Sequence, residues 1–348
     1  MNTLPIPSQH ERRLRPGRRA ALALVTCIVA LAASAPIAAH ATGTDRARSV
    51  GEPHTHQNVS IYLVHGGDAY DTASILTLEE ALAKGVVVVH ETGSVNQLAV
   101  ENVSSTDTVF VQAGDIVKGG QQDRTMTSDL FLGPQSGRVD VDAFCVESGR
   151  WRQRAGEDAS RFQSSSRMLS SKELKLAVRG EREQSKVWAE VAGLQRRLAE
   201  RTGDDVRSEA SPTSLQLSLE DGAVARVTSG YVDAFRDLAA SLPDSVGLVV
   251  AIDGELNSAE IYASHDLFAK KWPKLLDAIA TEGAASRVGR AATPPSRDAA
   301  AAFLARGEAG TPLAGAAPGA LARESEDTLY FEAGPAGRHD AHKSYLAK

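Results

Sequence analysis

The sequence predicts an α+β protein with an antiparallel, β-rich N-terminal half, sandwich-like or barrel-like, and a helical C-terminal half. Short apolar segments between residues 59 and 150 are typical of strands. Apolar residues recur at helical spacing between residues 151 and 282, interrupted by one predicted hairpin. Residues 324–348 alternate again, and this pattern predicts a terminal hairpin that packs back on the first half.

The predicted strands of the first half differ in their burial. Residues 59–64 (VSIYLV) form an apolar first strand, and residues 86–89 are four consecutive valines, which is typical of a strand buried on both faces. In residues 139–147, valine and alanine alternate with aspartate, which predicts one buried face. Cys145 lies on that face, so we expect a buried, inert thiol rather than a nucleophile.

Local signals also place the helices. Thr77 and Glu80 have the spacing of a capping box, which predicts a helix over residues 76–84 that Gly85 ends. Residues 181–201 carry a single apolar stripe on an otherwise charged helix.

The second half contains one predicted hairpin and one irregular segment. Residues 246–263 predict two strands about an Asp-Gly turn, and Ser264 is placed to cap the helix that follows. The sequence Thr-Ser-Gly at 228–230 predicts another helix start. The segment 283–323 is rich in alanine, glycine and proline, as in a linker-like insert, with a helix-like run at 297–306.

The first 41 residues have the pattern of a signal peptide. Five arginines precede an apolar run at 20–35, and Ala-His-Ala at 39–41 is a small-x-small cleavage pattern. We therefore expect a mature chain that begins at Thr42, has a flexible leader over 42–58, and is periplasmic or secreted. The alternative is an uncleaved N-terminal membrane anchor, since the apolar run is only slightly short of a span; no later run is long enough.

Charge and cysteine usage restrict the partners and the source of stability. The leader carries five arginines and one glutamate, and the whole chain has a net charge of −6, so the remaining chain has −10. This acidic balance argues against nucleic acid as a partner. Cys145 is the only cysteine after the leader, so a folded core rather than a disulfide must stabilise the domain.

Motifs for common cofactors are missing from the sequence. It contains no Walker loop, no dinucleotide fingerprint and no serine-nucleophile elbow. His54 and His56 have a pair spacing, but they lie in the predicted flexible leader, and no cluster has metal-ligand spacing. We therefore predict no cofactor and no metal.

Polar residues concentrate on two predicted loops, 113–138 and 147–151. In the first loop, charged and amide side chains surround Gly119-Gly120, and paired glycines let backbone N–H groups converge on an anion. The second loop adds a carboxylate and a guanidinium just past the end of a strand. The candidate ligand-binding residues are Asp115, Lys118, Gln121, Gln122, Asp123, Arg124, Glu147 and Arg150.

Three interpretations of these loops remain open. The leading one is a domain that binds a small anionic ligand or a protein partner through both loops. The second is a hydrolase-like enzyme in which Asp123 and Glu147 act as acid and base while Lys118 or Arg124 holds an anionic substrate. The third is a purely structural domain, in which the same charges form internal ion pairs.

Three segments carry a resemblance to a known family. GDIVKGGQQDRT at 114–125, VDAFCVESGRW at 141–151 and the closing HKSYLAK at 342–348 resemble the ARG and rhodanese-phosphatase-superfamily-associated protein domain. The resemblance covers about residues 55–348. It implies one long α+β domain over 59–348 and brings with it no established reaction.

Overall fold

The computed structural model describes residues 48–150, 162–286, 293–315, 319–336 and 338–348, all within one compact unit, Gly43–Lys348. The predicted signal peptide, 1–41, lies outside the described residues, and so does Trp151 in the second loop. Antiparallel strands dominate the first half and helices the second, so the predicted α+β class is confirmed.

The strands in the described residues have the following bounds: β1 Ser49–His56, β2 Val59–His65, β3 Ile75–Thr77, β4 Val87–Glu91, β5 Gln97–Asn102, β6 Thr108–Val111, β7 Asp115–Lys118, β8 Arg124–Met126, β9 Leu130–Leu132, β10 Gly137–Cys145, β11 Gln163–Met168, β12 Ser245–Ile252, β13 Glu255–Tyr262, β14 Thr311–Pro312, β15 Ala320–Glu324, β16 Thr328–Ala333 and β17 His342–Ala347.

The α-helices in the described residues are α1 Leu78–Ala83, α2 Lys172–Leu176, α3 Gln184–Thr202, α4 Leu215–Leu219, α5 Gly222–Phe235, α6 Leu238–Ser241, α7 His265–Ala285 and α8 Arg297–Glu308. A π-helical turn, Ala177–Glu181, continues α2.

The largest sheet joins the two ends of the described chain. Its eight antiparallel strands have the order β1-β2-β12-β13-β17-β16-β15-β14. Strands β2 and β12 are buried on both faces because α7 packs on one face, around Phe268, and α8 packs on the other, around Phe303. The predicted hairpin over 246–263 is the pair β12–β13, and the predicted terminal hairpin is the pair β16–β17, which returns to this sheet.

A second sheet carries the predicted loops. Its six strands have the order β11-β7-β8-β10-β5-β4 and are antiparallel. A third sheet, β3-β6-β9, contains a parallel pair, β3–β6. The helix α1 begins as predicted, since Thr77 and Glu80 form the complete capping box.

Three local predictions are wrong, and each has a physical reason. The predicted flexible leader, 42–58, contains strand β1, because pairing with β2 and contact with α8 stabilise a polar segment that has no strand signal of its own. The valines of β4 are not buried on both faces, because β4 is an edge strand and Val88 is 39% exposed. Thr228 lies inside α5, whose N-cap is Asp221.

The predicted insert, 283–323, is also more regular than its composition indicates. Its helix-like run is α8, and Thr311–Pro312 and Ala320–Glu324 form the edge strand β14 and its neighbour β15. Cys145 is fully buried, as predicted for a core thiol, and burial raises the pKa of this thiol despite the nearby guanidinium of Arg124.

Candidate functional site

The pairing of β7, β8 and β10 brings the two predicted loops together. The predicted first loop, 113–138, is not one loop, because the short strands β7, β8 and β9 form within it; the connection between β7 and β8 is residues 119–123. Arg124, the first residue of β8, lies opposite Cys145 at the end of β10. Glu147 and Arg150 follow directly, so they meet the residues that precede β8. We call residues 118–124 the glycine loop.

One set of charges is buried between the loops, and we call it the Arg150 cluster: Asp123, Glu147, Arg150, Ser211 and Ser214. The Nε atom of Arg150 lies 2.7 Å from Glu147 Oε2, and its second nitrogen lies 3.6 Å from Asp123 Oδ1. The hydroxyl of Ser214 donates to Asp123 Oδ2 at 3.1 Å, and Ser211 donates to Glu147. Both carboxylates are fully buried, so they hold the two loops against the segment that precedes α4.

The glycine loop binds a carboxylate, and this carboxylate is Glu91 at the end of β4. The backbone N–H of Gln121 donates to Glu91 Oε1 at 3.1 Å, and a guanidinium nitrogen of Arg124 lies 4.0 Å from Glu91 Oε2. Gly120 has a φ of +55°, and a Cβ there would lie 2.5 Å from the Glu91 oxygen. The loop therefore needs glycine both for its conformation and for the close approach of the anion.

Arg124 itself is only partly satisfied. Its side chain is 1% exposed, and one terminal nitrogen donates to Gln122 Oε1 at 3.1 Å. Its Nε atom is buried and has no hydrogen-bond partner among the described residues. A buried guanidinium normally uses several of its five donors, so this side chain retains capacity for another acceptor.

The remaining predicted residues are divided between two places. Lys118 and Gln121 lie on the glycine loop; the Nζ atom of Lys118 is 3.9 Å from Glu220, and the side chain of Gln121 is exposed. Asp115 lies elsewhere, because it accepts from Lys271 Nζ at 2.8 Å in the core beneath α7. The structure thus brings together seven of the eight predicted residues and separates Asp115 from them.

A second buried group of charges has no counterpart in the sequence predictions, and we call it the His342 cluster: Asp129, Arg179, Glu260 and His342. His342 Nδ1 lies 3.3 Å from Asp129 Oδ2, and His342 Nε2 lies 3.0 Å from Glu260 Oε2. Arg179 donates to the same Asp129 oxygen at 3.0 Å. The four residues come from distant positions, so no spacing in the sequence reveals them.

The protonation states in the His342 cluster follow from its charges. Burial alone would lower the pKa of His342, but the carboxylates of Asp129 and Glu260 raise it to about 9. Burial would likewise raise the pKa of Asp129, but Arg179 and His342 hold it well below its usual range. The cluster is therefore a fixed ion-pair network at neutral pH, with His342 positively charged.

Neither a metal centre nor a membrane span is visible in the part of the chain that the structure describes. Over that part, His, Cys, Asp and Glu side chains form no group of three or more with the geometry to hold a metal ion. Its helices are also too short or too polar to cross a membrane.

The fold and the site define an α+β domain whose loops are held by buried ion pairs around a carboxylate-binding glycine loop. The chain belongs to the family described as the ARG and Rhodanese-Phosphatase-superfamily-associated Protein domain, whose sequence model matches residues 48–325. This family is associated with the rhodanese-phosphatase superfamily, and its activity is unassigned. The matched range contains the segments GDIVKGGQQDRT, at 114–125, and VDAFCVESGRW, at 141–151, and ends before HKSYLAK, at 342–348. Searches of curated proteins and of solved structures found no match.

Proposed function

We propose that this protein is an exported domain that binds a small anionic ligand, a carboxylate or a phosphate, on the glycine loop in the place of Glu91. The observation that carries the proposal is the carboxylate of Glu91 itself, which the N–H of Gln121 and the guanidinium of Arg124 already attract. A loop that holds an internal carboxylate has the donors to hold an external one, or an acidic side chain of a protein partner.

The contacts of Glu91 are weak enough for exchange. One backbone hydrogen bond contributes about 1 kcal/mol, and a partly exposed ion pair at 4.0 Å adds little. The Glu91 side chain is 27% exposed on the edge strand β4, so solvent reaches this position. An anion with three or four oxygens has more acceptors than a carboxylate to offer Gln121 N–H and the guanidinium of Arg124, whose Nε has no hydrogen-bond partner among the described residues.

A second cation lies on the same loop. The Lys118 side chain is 29% exposed, and its only ion-pair partner among the described residues, Glu220, is 3.9 Å away and also partly exposed. Such a loose pair is worth at most about 1 kcal/mol, so Lys118 can reorient toward a bound anion. Lys118 is therefore available, beside Arg124, as the cation that the sequence analysis assigns to one or the other of these two residues.

The proposal is tested by removing the internal competitor. We expect Glu91→Gln to bind inorganic phosphate and acetate more tightly than the wild type does, which appears as a larger rise in melting temperature at equal ionic strength. Glu101→Gln is the matched control, because Glu101 is 30% exposed on the neighbouring strand β5 and does not contact the glycine loop.

Two results would count against anion binding at this loop. One is the absence of any anion-dependent stabilisation in both the wild type and Glu91→Gln, with chloride as the reference salt. The other is a shift of the same size in Glu91→Gln and in Glu91→Gln/Arg124→Gln, since the guanidinium would then be irrelevant. Either result would favour the structural interpretation of the loops.

The hydrolase interpretation has less support than the binding interpretation. Asp123 and Glu147, the predicted acid and base, are fully buried and ion-paired with Arg150. A general acid or base must reach the substrate or a water molecule within hydrogen-bond distance. In this arrangement both carboxylates instead serve to position the loops.

Export is part of the proposal and rests on the sequence of residues 1–41. Expression of the full chain in a Gram-negative host, followed by fractionation and mass spectrometry, tests it directly. We expect a periplasmic or secreted product that begins at Thr42. A full-length product that remains in the cytoplasm would contradict export, and a full-length product in the membrane fraction would support the anchor instead.

A further inference from the structure

A cavity of about 420 Å³ lies away from the glycine loop, where the end of α7 meets the turn between β12 and β13 and the start of α2. This volume is large compared with the roughly 30 Å³ that a water molecule takes in the liquid, and it falls in the usual range of small-molecule pockets. The lining is mostly polar. It includes four carboxylates, Glu282 among them, two cations, Lys172 and Arg197, and the amide of Asn257, beside three apolar side chains, Ile252, Leu256 and Ala285.

Asn257 is the unusual member of this lining. Its residue is 7% exposed, and its Nδ2 atom donates to Glu282 Oε1 at 2.7 Å. Its Oδ1 atom is buried and has no hydrogen-bond partner among the described residues. A buried amide oxygen without a donor is unfavourable, so a donor supplied by a ligand would be favourable.

Glu282 makes the same region attractive to a cation. The backbone N–H of Lys172 and the amide of Asn257 both donate to Oε1 of this carboxylate. Burial raises the pKa of Glu282, although the charge of Lys175 opposes the shift. The carboxylate therefore gains from a nearby positive charge, and the C-terminal end of α7, where Glu282 lies, adds the negative end of a helix dipole.

We propose that this cavity binds a small molecule with a primary ammonium group, for which Asn257 Oδ1 and the carboxylate of Glu282 are the acceptors. An ammonium group has three donors and no acceptor, which matches an orphan amide oxygen beside a carboxylate. The apolar side chains of Ile252 and Leu256 then contact the carbon chain of the ligand. A bare metal ion fits less well, because the described residues contain no group with metal-ligand geometry and the cavity is too large for an ion alone.

The test measures binding of butylamine by isothermal titration to the intact protein, with butanol and butyrate as probes that lack the ammonium group. We expect heat of binding for butylamine only. Glu282→Gln and Asn257→Leu should each weaken binding roughly tenfold or more, since each removes one acceptor of a charged donor. Glu209→Gln is the control, because Glu209 is an exposed carboxylate outside the cavity lining.

Three titration results would overturn the proposal. Equal affinity in the wild type and in Glu282→Gln would overturn the proposal, as would binding of butanol as tightly as butylamine. Binding of Ca²⁺ with no binding of butylamine would overturn the assignment to an ammonium ligand. Glu282→Gln keeps one amide oxygen that can accept from the Lys172 N–H and from the Asn257 amide, so the test does not depend on the folding of Asn257→Leu. It is also independent of the glycine loop, which none of these variants touches.

Discussion

The carboxylate of Glu91 occupies the position in which the sequence predicts an external anion. The sequence places paired glycines and an arginine on this loop, and in the structure a carboxylate lies against them. The sequence does not show that Glu91 supplies that charge, because β5 and β10 separate β4 from β8 in the six-stranded sheet and only the folded sheet brings Glu91 to the glycine loop. Similarly, the His342 cluster combines residues 129, 179, 260 and 342, and only the folded chain brings them into contact.

The first prediction at the residue scale concerns Arg150. Arg150→Gln removes the guanidinium that lies beside the buried carboxylates of Asp123 and Glu147, and breaking such a buried pair costs about 3–5 kcal/mol. We expect a loss of this order in the free energy of unfolding, measured by urea denaturation. Arg138→Gln is the control, because Arg138 is 66% exposed and its loose pair with Glu101 should contribute less than about 1 kcal/mol.

The second prediction at this scale is a pH dependence that originates in His342. The folded protein holds the pKa of His342 at about 9, above the value of roughly 6.5 in an unfolded chain. The stabilisation of the folded state by His342 is therefore complete below about pH 6.5, decreases as the pH rises, and is lost above about pH 9. A shift of this size corresponds to about 3 kcal/mol.

Urea denaturation between pH 6 and pH 10 checks this dependence. The wild type should lose stability across the range, and His342→Gln should show a much flatter profile even though it is less stable at pH 6. An equally steep loss in both proteins would mean that other groups are responsible.

Whether the sequence predicts a given helix or strand depends on how close together in the chain its determining residues lie. The capping box of α1 and the hairpin β12–β13 are readable because all their determining residues lie within a few positions of one another. Strand β1 is not readable, because its polar residues form a strand only through pairing with β2. Val88 is misjudged for a related reason: a run of valines does not show whether the strand lies at the edge of a sheet.

The close approach of Glu91 to the glycine loop predicts that alanine is poorly tolerated at Gly120. Gly120→Ala forces alanine to adopt the φ of +55° and adds a Cβ 2.5 Å from Glu91 and from the ring of Phe162. Gly137→Ala forces alanine to adopt a similar φ, +64°, but its Cβ lies in open space. We expect Gly137→Ala to cost about 1 kcal/mol and Gly120→Ala clearly more, with the difference due to the close approach. Equal losses in thermal denaturation would show that the loop does not hold Glu91 closely.

For the whole molecule, the eight-stranded sheet determines which parts of the chain are needed for folding. The α+β class follows from the strand and helix patterns along the chain. Periodicity does not predict which strands pair with one another. The pairing of β2 with β12 and the central place of β17 depend on contacts between the two ends of the described chain. The family match ends at residue 325, yet β16 and β17 follow it and complete this sheet.

Deletion of residues 326–348 tests this dependence on the C-terminal strands. The truncated chain loses β16 and β17 and with them His342, so β13 keeps only one paired edge and Asp129 loses a cation. We expect the truncated protein not to fold cooperatively, as judged by the absence of a thermal transition in circular dichroism. A cooperative transition near that of the complete chain would show that these strands are peripheral.

We propose that the glycine loop is an anion-binding site in which Glu91 takes the place of a ligand. Isothermal titration of inorganic phosphate into the wild type and into Glu91→Gln, at constant ionic strength, distinguishes such a site from a purely structural loop. We expect one site per chain and an affinity in Glu91→Gln that is higher than in the wild type by roughly tenfold, the effect of one charged competitor. Absence of phosphate binding to a folded Glu91→Gln would contradict the claim and leave the glycine loop a structural element.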